Sequence, residues 1–369
     1  MRAKNLLVVA GILFSTIFGA AGTAHAQGEA PQTVNTKVEV RMAGSNLGVT
    51  MREIVASADN PVWVGYGVGG VPGEQGECCG NYREDGDGQS NAVWHLEKEH
   101  GSGGGSLRNK NNVKLEDEKE LWILYRVDKR HIGRIRMMSN QCQLDAGGLR
   151  LIWLKDVKSD ESVGFLSEFV QGREIFGGDE NRIAEQALTA IALHADGEAD
   201  KALARFSAPG QREKLRERAS FWMGAARAAA GLAQLKSMAK TDPSSEVRAQ
   251  VSFGLFVSKE PGATEEIIRM AREDGSPHVR GQALFWLAQK AGAKAENAIV
   301  GAITNDPDTE VKKKAVFALS QMPKEEGVPK LIEVAEKNKN PEVRKQAMFW
   351  LGQSVDPRAL AFFEKVLSN

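Results

Sequence analysis

The chain has 369 residues, with 48 basic and 48 acidic side chains and a formal net charge of zero. A chain of this length accommodates two or more domains. The balanced charge provides no excess of basic residues to neutralise phosphates, so nucleic-acid binding is not expected.

Residues 1–26 have the organisation of a secretory signal peptide. Two basic residues stand at the start, residues 6–18 form an apolar core, and Ala24 and Ala26 frame a small-residue cleavage site. We therefore expect cleavage after Ala26 and export to the periplasm or the extracellular space. The apolar run is short for a membrane span. No later stretch is apolar enough to cross a bilayer, so the mature chain is expected to have no membrane span.

Residues 27–172 alternate short apolar stretches with two helical patterns, which predicts a small α+β domain with a mainly antiparallel sheet. Helices are predicted at 47–58 and 161–170. Residues 84–91 and 101–112 are rich in Gly, Asp, Asn and Ser and are predicted to be loops. The predicted strands cover residues 36–42, 61–68, 92–96, 120–127, 131–138 and 149–154.

This domain contains all the cysteines of the predicted mature chain, namely Cys78, Cys79 and Cys142. In an oxidising compartment two of them are expected to pair. Neighbours in sequence rarely bridge without strain. We therefore expect Cys142 to pair with either Cys78 or Cys79, which leaves one thiol over.

Two patterns in the domain resemble chemical sites. Residues 85–91 place oxygen-bearing side chains at alternate positions, but the Gly and Glu that complete a calcium loop are missing, so no metal site is predicted. Cys142 and Asp145 lie beside a turn predicted at Gly147 and Gly148. A thiol nucleophile would also need a histidine, and no spacing specifies which one. The candidates in this domain are His95, His100 and His131.

From residue 183 onward the sequence repeats with a fixed period of 32 residues. Such a period is typical of a solenoid, in which each unit stacks only on its neighbours. Each unit is predicted to contain two helices. The first helix begins near an apolar marker: Ile183, Leu215, Val247, Val279, Val311 or Val343. Eight residues later stands a second apolar residue: Ile191, Met223, Leu255, Leu287, Leu319 or Leu351.

The boundaries of the repeats have physical signals. Residues 173–182 contain Gly177 and Gly178 and are predicted to be a linker. Pro277 and Pro341 suit the first position of a helix, where the missing N–H costs nothing. Four residues of N-cap type precede the last four markers: Ser244, Ser276, Asp308 and Asn340. We therefore predict six units over residues 183–369.

The two ends of the predicted array are expected to be covered differently. The N-terminal domain is expected to cap the first unit. No polar capping helix follows the final predicted helix, residues 358–367, so its outer face is expected to meet the chain's own tail, a partner or a second copy. Self-association through the last unit is one of these predicted modes.

The repeated Val-Arg-x-x-Ala core, the Leu-Gly or Leu-Ala pair and the Asp-Pro connectors resemble the short HEAT repeats of phycobilin lyase-type proteins. The resemblance covers the C-terminal part of the chain, from residue 183 onward. It implies an α-solenoid that presents an extended surface to other proteins. It also implies a structural ladder in which Arg248, Arg280 and Lys312 pair with aspartates of the connecting turns. The aspartates that precede them are Asp242, Asp274 and Asp306.

Two kinds of enzyme use related repeats. Deoxyhypusine hydroxylase builds a di-iron site from His-Glu dipeptides, and this chain contains no His-Glu pair. Bilin lyases act on pigment proteins inside the cell, which does not suit an exported chain. The resemblance therefore implies a binding function without a metal or a cofactor.

The repeats carry an aromatic pattern on the side of the first helix opposite the buried stripe. Six residues after the marker, about 120–160° from the buried positions at 100° per residue, stand Phe221, Phe253, Phe285, Phe317 and Phe349. The next position alternates between a small residue and Trp222, Trp286 or Trp350. Two interpretations remain open: packing between successive first helices, or a partly exposed ridge that docks a partner.

The sequence thus predicts a non-catalytic, extracytoplasmic protein–protein interaction scaffold whose partner is another, unidentified protein. The alternative is an envelope hydrolase or thiol enzyme with its site in residues 27–172 and the solenoid as substrate-binding module. A deep polar pocket with Cys142 or Asp145 beside a histidine would favour the enzyme.

Overall fold

The structure is a computed structural model that describes residues 29–71, 93–98, 120–140, 143–172, 180–290 and 292–368. The predicted leader, the two predicted loops, the calcium-like stretch and the three cysteines lie outside these residues. The helices of the N-terminal region are α1 (Leu47–Ser57) and α2 (Ser159–Val170). Its strands are β1 (Thr33–Val34), β2 (Lys37–Met42), β3 (Val62–Gly69), β4 (Val93–His95), β5 (Glu120–Asp128), β6 (His131–Ser139), β7 (Gln143–Asp145) and β8 (Arg150–Lys155).

The strands form two sheets of mixed direction. The larger has the order β2-β8-β3-β5-β6, and its β2–β8 and β8–β3 pairs are parallel, whereas β3–β5 and β5–β6 are antiparallel. The smaller has the order β1-β7-β4, with both pairs parallel. The α+β fold is confirmed, but the expectation of a mainly antiparallel sheet is wrong.

The cause of the parallel pairs is the helix between β2 and β3. Because α1 carries the chain back across the sheet, β2 and β3 run in the same direction, and β8 then inserts between them. The antiparallel pair β5–β6 is joined by the two-residue turn Lys129–Arg130, where both residues have positive φ. This is the geometry that a tight hairpin requires.

Both faces of the larger sheet are covered, which explains why β3 is apolar along its whole length. Val64 and Tyr66 face the helices and join the main core. Trp63, Trp122 and Trp153 face the other way and form a second core with residues of the smaller sheet. The N-terminal region is therefore layered as helices, larger sheet and smaller sheet.

The rest of the described chain is an α-solenoid of six helical hairpins, as predicted. Its helix α3 begins inside the stretch 173–182 that was expected to be a linker. The hairpins are α3 (Glu180–Leu193) with α4 (Gly197–Phe206), α5 (Glu213–Ala226) with α6 (Ala228–Thr241), α7 (Ser245–Val257) with α8 (Ala263–Glu273), α9 (Pro277–Lys290) with α10 (Ala293–Asn305), α11 (Thr309–Ser320) with α12 (Lys324–Lys337), and α13 (Pro341–Gly352) with α14 (Pro357–Leu367).

The helix starts follow the predicted signals. Ser244, Asp308 and Asn340 each accept a hydrogen bond from a backbone N–H in the first turn of the following helix. Pro277 and Pro341 are the first residues of α9 and α13. The six apolar markers are buried. From α5 to α13 the first helices pack directly against one another, whereas successive second helices make much weaker contacts. The array therefore curves toward the layer of first helices.

The N-terminal region covers the first repeat, as expected. The N–H of Val71 donates to the carbonyl of Leu193 at 2.8 Å, and the N–H of Ala195 donates to Gly69 at 2.9 Å. The hydrophobic core continues without interruption from α1 and the larger sheet into the solenoid. The two regions are thus joined by backbone hydrogen bonds and by a shared core.

A chain of buried hydroxyl groups ends on a histidine at this junction. Nδ1 of His194 donates to the carbonyl of Ala190 at 2.7 Å, so Nε2 is left to accept from the Ser162 hydroxyl at 2.9 Å. Ser162 in turn accepts from Tyr66 at 2.7 Å, and Tyr66 from Tyr125 at 2.7 Å. Burial lowers the pKa of His194 below its ordinary value, so this imidazole is neutral in the folded protein.

We expect the buried imidazole to make stability depend on pH. The pKa of His194 is lower in the folded chain than the value of about 6.5 in an unfolded one. Below that pH the unfolded state binds more protons, so stability falls as the pH drops. His194→Gln keeps a donor and an acceptor but cannot titrate. Urea denaturation between about pH 7.5 and pH 5.5 should give a flatter stability profile for the variant. Parallel profiles would contradict the expectation.

Candidate binding surface on the first helices

A line of arginine–aspartate pairs fixes the frame of the first helices. Nε and Nη2 of Arg280 donate to the carboxylate of Asp306 at 2.8 and 2.9 Å. Nη1 of the same guanidinium donates to the backbone carbonyl of Asp274 at 2.9 Å, so one side chain joins two successive turns. The pairing recurs in the two preceding hairpins, and these three pairs are called the arginine ladder: Arg216–Asp242, Arg248–Asp274 and Arg280–Asp306.

The ladder exists, but each arginine pairs with the aspartate of the turn that follows it rather than the one that precedes it. The hairpin is antiparallel, so the first turn of its first helix lies beside the last turn of its second helix. The expected ion pairs Arg248–Asp242 and Arg280–Asp274 are therefore wrong. Each arginine contacts only the backbone carbonyl of that aspartate and not its carboxylate. Arg216, which the sequence reasoning omitted, is also a member.

The ladder ends at Lys312. Its ammonium donates to the carbonyl of Thr304 at 3.3 Å rather than to Asp306. Asn338 occupies the position of the next aspartate and keeps the turn, since its Oδ1 accepts the N–H of Asn340 at 2.9 Å. It supplies no carboxylate, so the last two repeats lack a charged rung.

Each arginine of the ladder and its aspartate favour the charged form of the other. Burial acts to raise the pKa of Asp274, but hydrogen bonds from Arg248 and from the N–H of Ser276 lower it below its ordinary value. The hydrogen bond to Asp274 likewise raises the pKa of Arg248, and that to Asp306 raises the pKa of Arg280. These groups stay charged at neutral pH and do not titrate there. The ladder is therefore a structural element.

The aromatic residues of the first helices stack on one another along the array. Phe221 and Phe253 lie 5.6 Å apart between ring centroids with their planes at 20°, and Phe285 and Phe317 lie 6.2 Å apart at 7°. Tryptophans join these pairs, because Phe253 contacts Trp286 at 4.6 Å and Phe317 contacts Trp350 at 4.9 Å. We call the five phenylalanines, together with Trp222, Trp286 and Trp350, the aromatic ridge.

The ridge has features of both interpretations that the sequence left open. Its rings pack between successive first helices, yet the phenylalanines of α5, α7, α9 and α11 remain only half-buried. Phe349 in α13 is 53% exposed. The buried stripe of each first helix faces the second helices, so the ridge occupies the opposite, inner side of the curved array. It is a supported apolar surface open to solvent.

Two ridge neighbours were missed by the sequence reasoning. Phe256 stacks on Trp286 at 4.9 Å between centroids, and the ammonium of Lys290 lies 5.3 Å from the Phe256 ring. Burial lowers the pKa of Lys290. The repeat pattern does not reveal Phe256, because it stands nine residues after its marker and no other repeat has an aromatic residue at that position.

A pocket of about 320 Å³ opens at the first-repeat end of the ridge. Phe221 and Trp222 form its apolar wall. Its charged rim is already paired, because Arg218 contacts Glu185 and Lys214 contacts Glu217 at 2.8 Å. The pocket therefore offers apolar contacts, and these four charged side chains of its rim are already paired with one another.

The N-terminal region holds the second candidate site. His95 and Asp145 lie on neighbouring strands, and Nδ1 of His95 is 2.7 Å from Oδ2 of Asp145. The N–H of Gly147 contributes most to lowering the pKa of Asp145, and His95 lowers it further. The sequence reasoning named both residues without pairing them. Cys142, the third candidate, lies outside the described residues.

A cavity with a polar lining in this region does not coincide with the His95–Asp145 pair. It measures about 400 Å³ and is lined by both strands of the β5–β6 hairpin and by Glu97, without His95 or Asp145. The guanidinium of Arg126 donates to Glu97 at 2.9 Å and to Asp128 at 3.0 Å. These three charged side chains of the cavity lining are therefore paired with one another. The arrangement that would favour an enzyme is therefore only half met: the pair is present, but outside the pocket.

No group of three or more His, Cys, Asp or Glu side chains among the described residues is arranged to hold a metal ion. Within the same part of the chain, every helix is too short or too polar to cross a membrane.

Comparison with known proteins supports the repeat architecture. The sequence profile of the HEAT repeats matches residues 264–349 and 296–369, so the chain contains HEAT repeats in its last units. No curated protein matches the chain.

Solved structures that resemble the chain share little sequence identity with it. The complex of CpcE and CpcF of phycocyanin lyase from Nostoc sp. is 20% identical over 43% of this chain and 100% of that one, with a TM-score of 0.33. Human deoxyhypusine hydroxylase in complex with glycerol is 14% identical over 56% and 90%, with a TM-score of 0.27. Kap95p bound to RanGDP is 15% identical over 53% and 30%, with a TM-score of 0.34.

Proposed function

We propose that the protein is a non-catalytic, extracytoplasmic scaffold that binds another protein through the aromatic ridge. The observation that carries this proposal is the ridge itself. Its rings recur at a fixed spacing on the inner side of the solenoid, they are held by stacking, and they remain open to solvent. A row of partly exposed aromatic rings is the kind of apolar surface that marks an interaction site. The leader-like residues 1–26 support an extracytoplasmic address.

The arginine ladder supports the same proposal from the structural side. A binding surface is effective when its side chains are held in place by the scaffold beneath them. In the second, third and fourth hairpins the ladder fixes each turn relative to the next. The first helices carry the ridge on the face opposite their buried stripe. The ridge is therefore organised before a partner arrives, which reduces the ordering cost of association.

The enzyme alternative rests on the His95–Asp145 pair. Such a pair orients an imidazole in hydrolases, but it needs a nucleophile on the other ring nitrogen. Nε2 of His95 has no hydrogen-bond partner among the described residues. The scaffold is the better-supported function because the stacked, partly exposed rings of the ridge are a direct observation in its favour.

The ridge predicts a specific loss of partner capture. Phe285→Ser/Phe317→Ser removes one stacked pair, and we expect recovery of the partner from an envelope fraction to fall at least tenfold, the equivalent of about 1.4 kcal/mol. Tagged protein lacking residues 1–26 serves as bait, and bound proteins are quantified by mass spectrometry. Circular dichroism at the binding temperature establishes that the variant is folded.

The matched control replaces exposed apolar residues outside the ridge. Val355 and Leu360 are 85% and 63% exposed. Val355→Ser/Leu360→Ser therefore removes a similar kind of surface and should leave capture of the same partner intact. Capture that survives the ridge substitution, or is lost equally in both variants, would contradict the proposed function.

A further inference from the structure

We propose that the occupant of the aromatic ridge is an extended polypeptide segment whose main chain is bound by glutamine amides on both sides of the ridge. This inference rests on the proposed function and names the class of partner. Glutamines recur at two positions of the first helices. Gln250, Gln282 and Gln346 stand three residues after their markers, and Gln289, Gln321 and Gln353 stand ten residues after theirs.

The glutamines share the exposed face of the first helices with the phenylalanines. At 100° per residue, positions three, six and ten after the marker fall within a sector of about 60°. The row at position three is half-buried, and the row at position ten is exposed. The phenylalanine lies between the two positions along the helix, so α9 and α13 carry a glutamine on both sides of the aromatic ridge. Helix α7 carries only Gln250, and α11 carries Gln321 with Lys314 at the other position.

The amides are available for binding. Among the described residues, the side chains of Gln250, Gln282, Gln289 and Gln346 make no hydrogen bond, whereas Gln321 contacts only Ser320 at 3.1 Å. A glutamine amide carries donors and an acceptor in one plane. That combination matches the alternating N–H and C=O groups of an extended main chain, and it requires no charge on the partner.

The tryptophans of the ridge supply an independent observation. The indole N–H groups of Trp286 and Trp350 are buried and have no acceptor among the described residues. An unsatisfied buried donor in a native structure requires an explanation. Because these donors are shielded from solvent, a main-chain carbonyl supplies the missing acceptor only when the indole ring turns toward the open side of the ridge on binding.

The stacked rings suit the side chains of such a segment. The centroids within the two phenylalanine pairs are 5.6 and 6.2 Å apart. Two residues of an extended chain advance about 6.5 Å, and side chains on one face recur with that spacing. Apolar side chains at alternate positions can therefore meet both rings of a pair, while main-chain hydrogen bonds supply affinity independent of sequence, as in strand addition.

The test uses a defined peptide. An 11-residue peptide of alternating leucine and serine, labelled with fluorescein, is titrated with the protein lacking residues 1–26, and anisotropy reports binding. We expect saturable binding. A peptide of the same sequence with N-methyl groups on its serine residues lacks those N–H donors and should bind at least tenfold more weakly.

The protein side of the test removes one amide row. Gln250→Ala/Gln282→Ala/Gln346→Ala should weaken the unmodified peptide at least tenfold without changing the thermal unfolding midpoint. The control Glu273→Ala/Glu333→Ala/Lys337→Ala changes exposed residues of the second helices and should bind as the wild type does.

The outcomes separate this inference from the proposed function. Equal binding of the N-methylated peptide, or of the triple glutamine variant, would show that the ridge does not bind main chain, and the inference would fail. No peptide binding combined with ridge-dependent capture of a partner would mean that the ridge recognises a folded surface. In that case the proposed function stands and the inference falls.

Discussion

Replacement of Arg280 by alanine is expected to lower the free energy of unfolding by about 3–5 kcal/mol, as for other buried pairs that lose one partner. The guanidinium is buried and makes three hydrogen bonds, two to the carboxylate of Asp306 and one to the carbonyl of Asp274. Without it, Asp306 remains buried with its charge uncompensated. Urea denaturation followed by far-UV circular dichroism at neutral pH measures the loss.

Two further variants identify the cause. Lys312→Ala removes the cation at the equivalent position of the next repeat, where no carboxylate is contacted, and should change stability by less than about 0.5 kcal/mol. Arg280→Lys keeps the charge but cannot form the two-pronged contact, so it should recover only part of the loss. An Arg280→Ala loss below about 1 kcal/mol would mean that the rung behaves as an exposed surface pair.

The ladder illustrates what a repeated sequence can and cannot specify. The 32-residue period and the N-cap residues located all six hairpins, because those signals are local to each helix. The period could not distinguish an arginine that meets the preceding turn from one that meets the following turn, since both aspartates recur with the same spacing. The antiparallel geometry of the hairpin decides between them, and it places Arg248 on Asp274.

The position of the ridge was predictable from the sequence, but the extent to which its rings are buried was not. A helical wheel placed Phe285 on the side opposite the buried Ala283 and Leu287, and the structure agrees. Whether neighbouring rings would cover one another depends on the distance and angle between adjacent helices, which no single-helix pattern contains. The result combines both interpretations, with Phe285 stacked on Phe317 and yet half-buried.

The N-terminal region was less predictable because its decisive contacts are distant in sequence. Six of the eight described strands were predicted from the sequence, whereas the short strands β1 and β7 were missed. Strand β8 inserts between β2 and β3 from more than 80 residues away. Nothing local to residues 150–155 signals that position. The His95–Asp145 pair and the hydrogen bond between His194 and Ser162 are likewise products of long-range pairing. Both histidines were visible in the sequence, but their partners were not.

Glycine at position 224 is expected to be required by the same close packing of first helices that supports the ridge. A Cβ atom built on Gly224 in α5 would lie 1.9 Å from the carbonyl oxygen of Gly254 in α7. In the reverse direction, a Cβ on Gly254 would lie 2.6 Å from the carbonyl oxygen of Ser220. The opposing atoms belong to the backbone, so no side chain can move aside, and the two helices would have to separate.

We therefore expect Gly224→Ala to destabilise the protein by about 2–3 kcal/mol, although alanine raises helix propensity by about 1 kcal/mol. Gly301→Ala in α10 is the matched control, because a Cβ there meets nothing within 4 Å and the variant should gain up to about 1 kcal/mol. Both free energies of unfolding come from urea denaturation. Opposite signs for one substitution would show that the α5–α7 approach, which lies next to the Phe221–Phe253 stack, is set by the absence of a side chain. Equal stabilisation of both variants would show that these helices can separate at no cost.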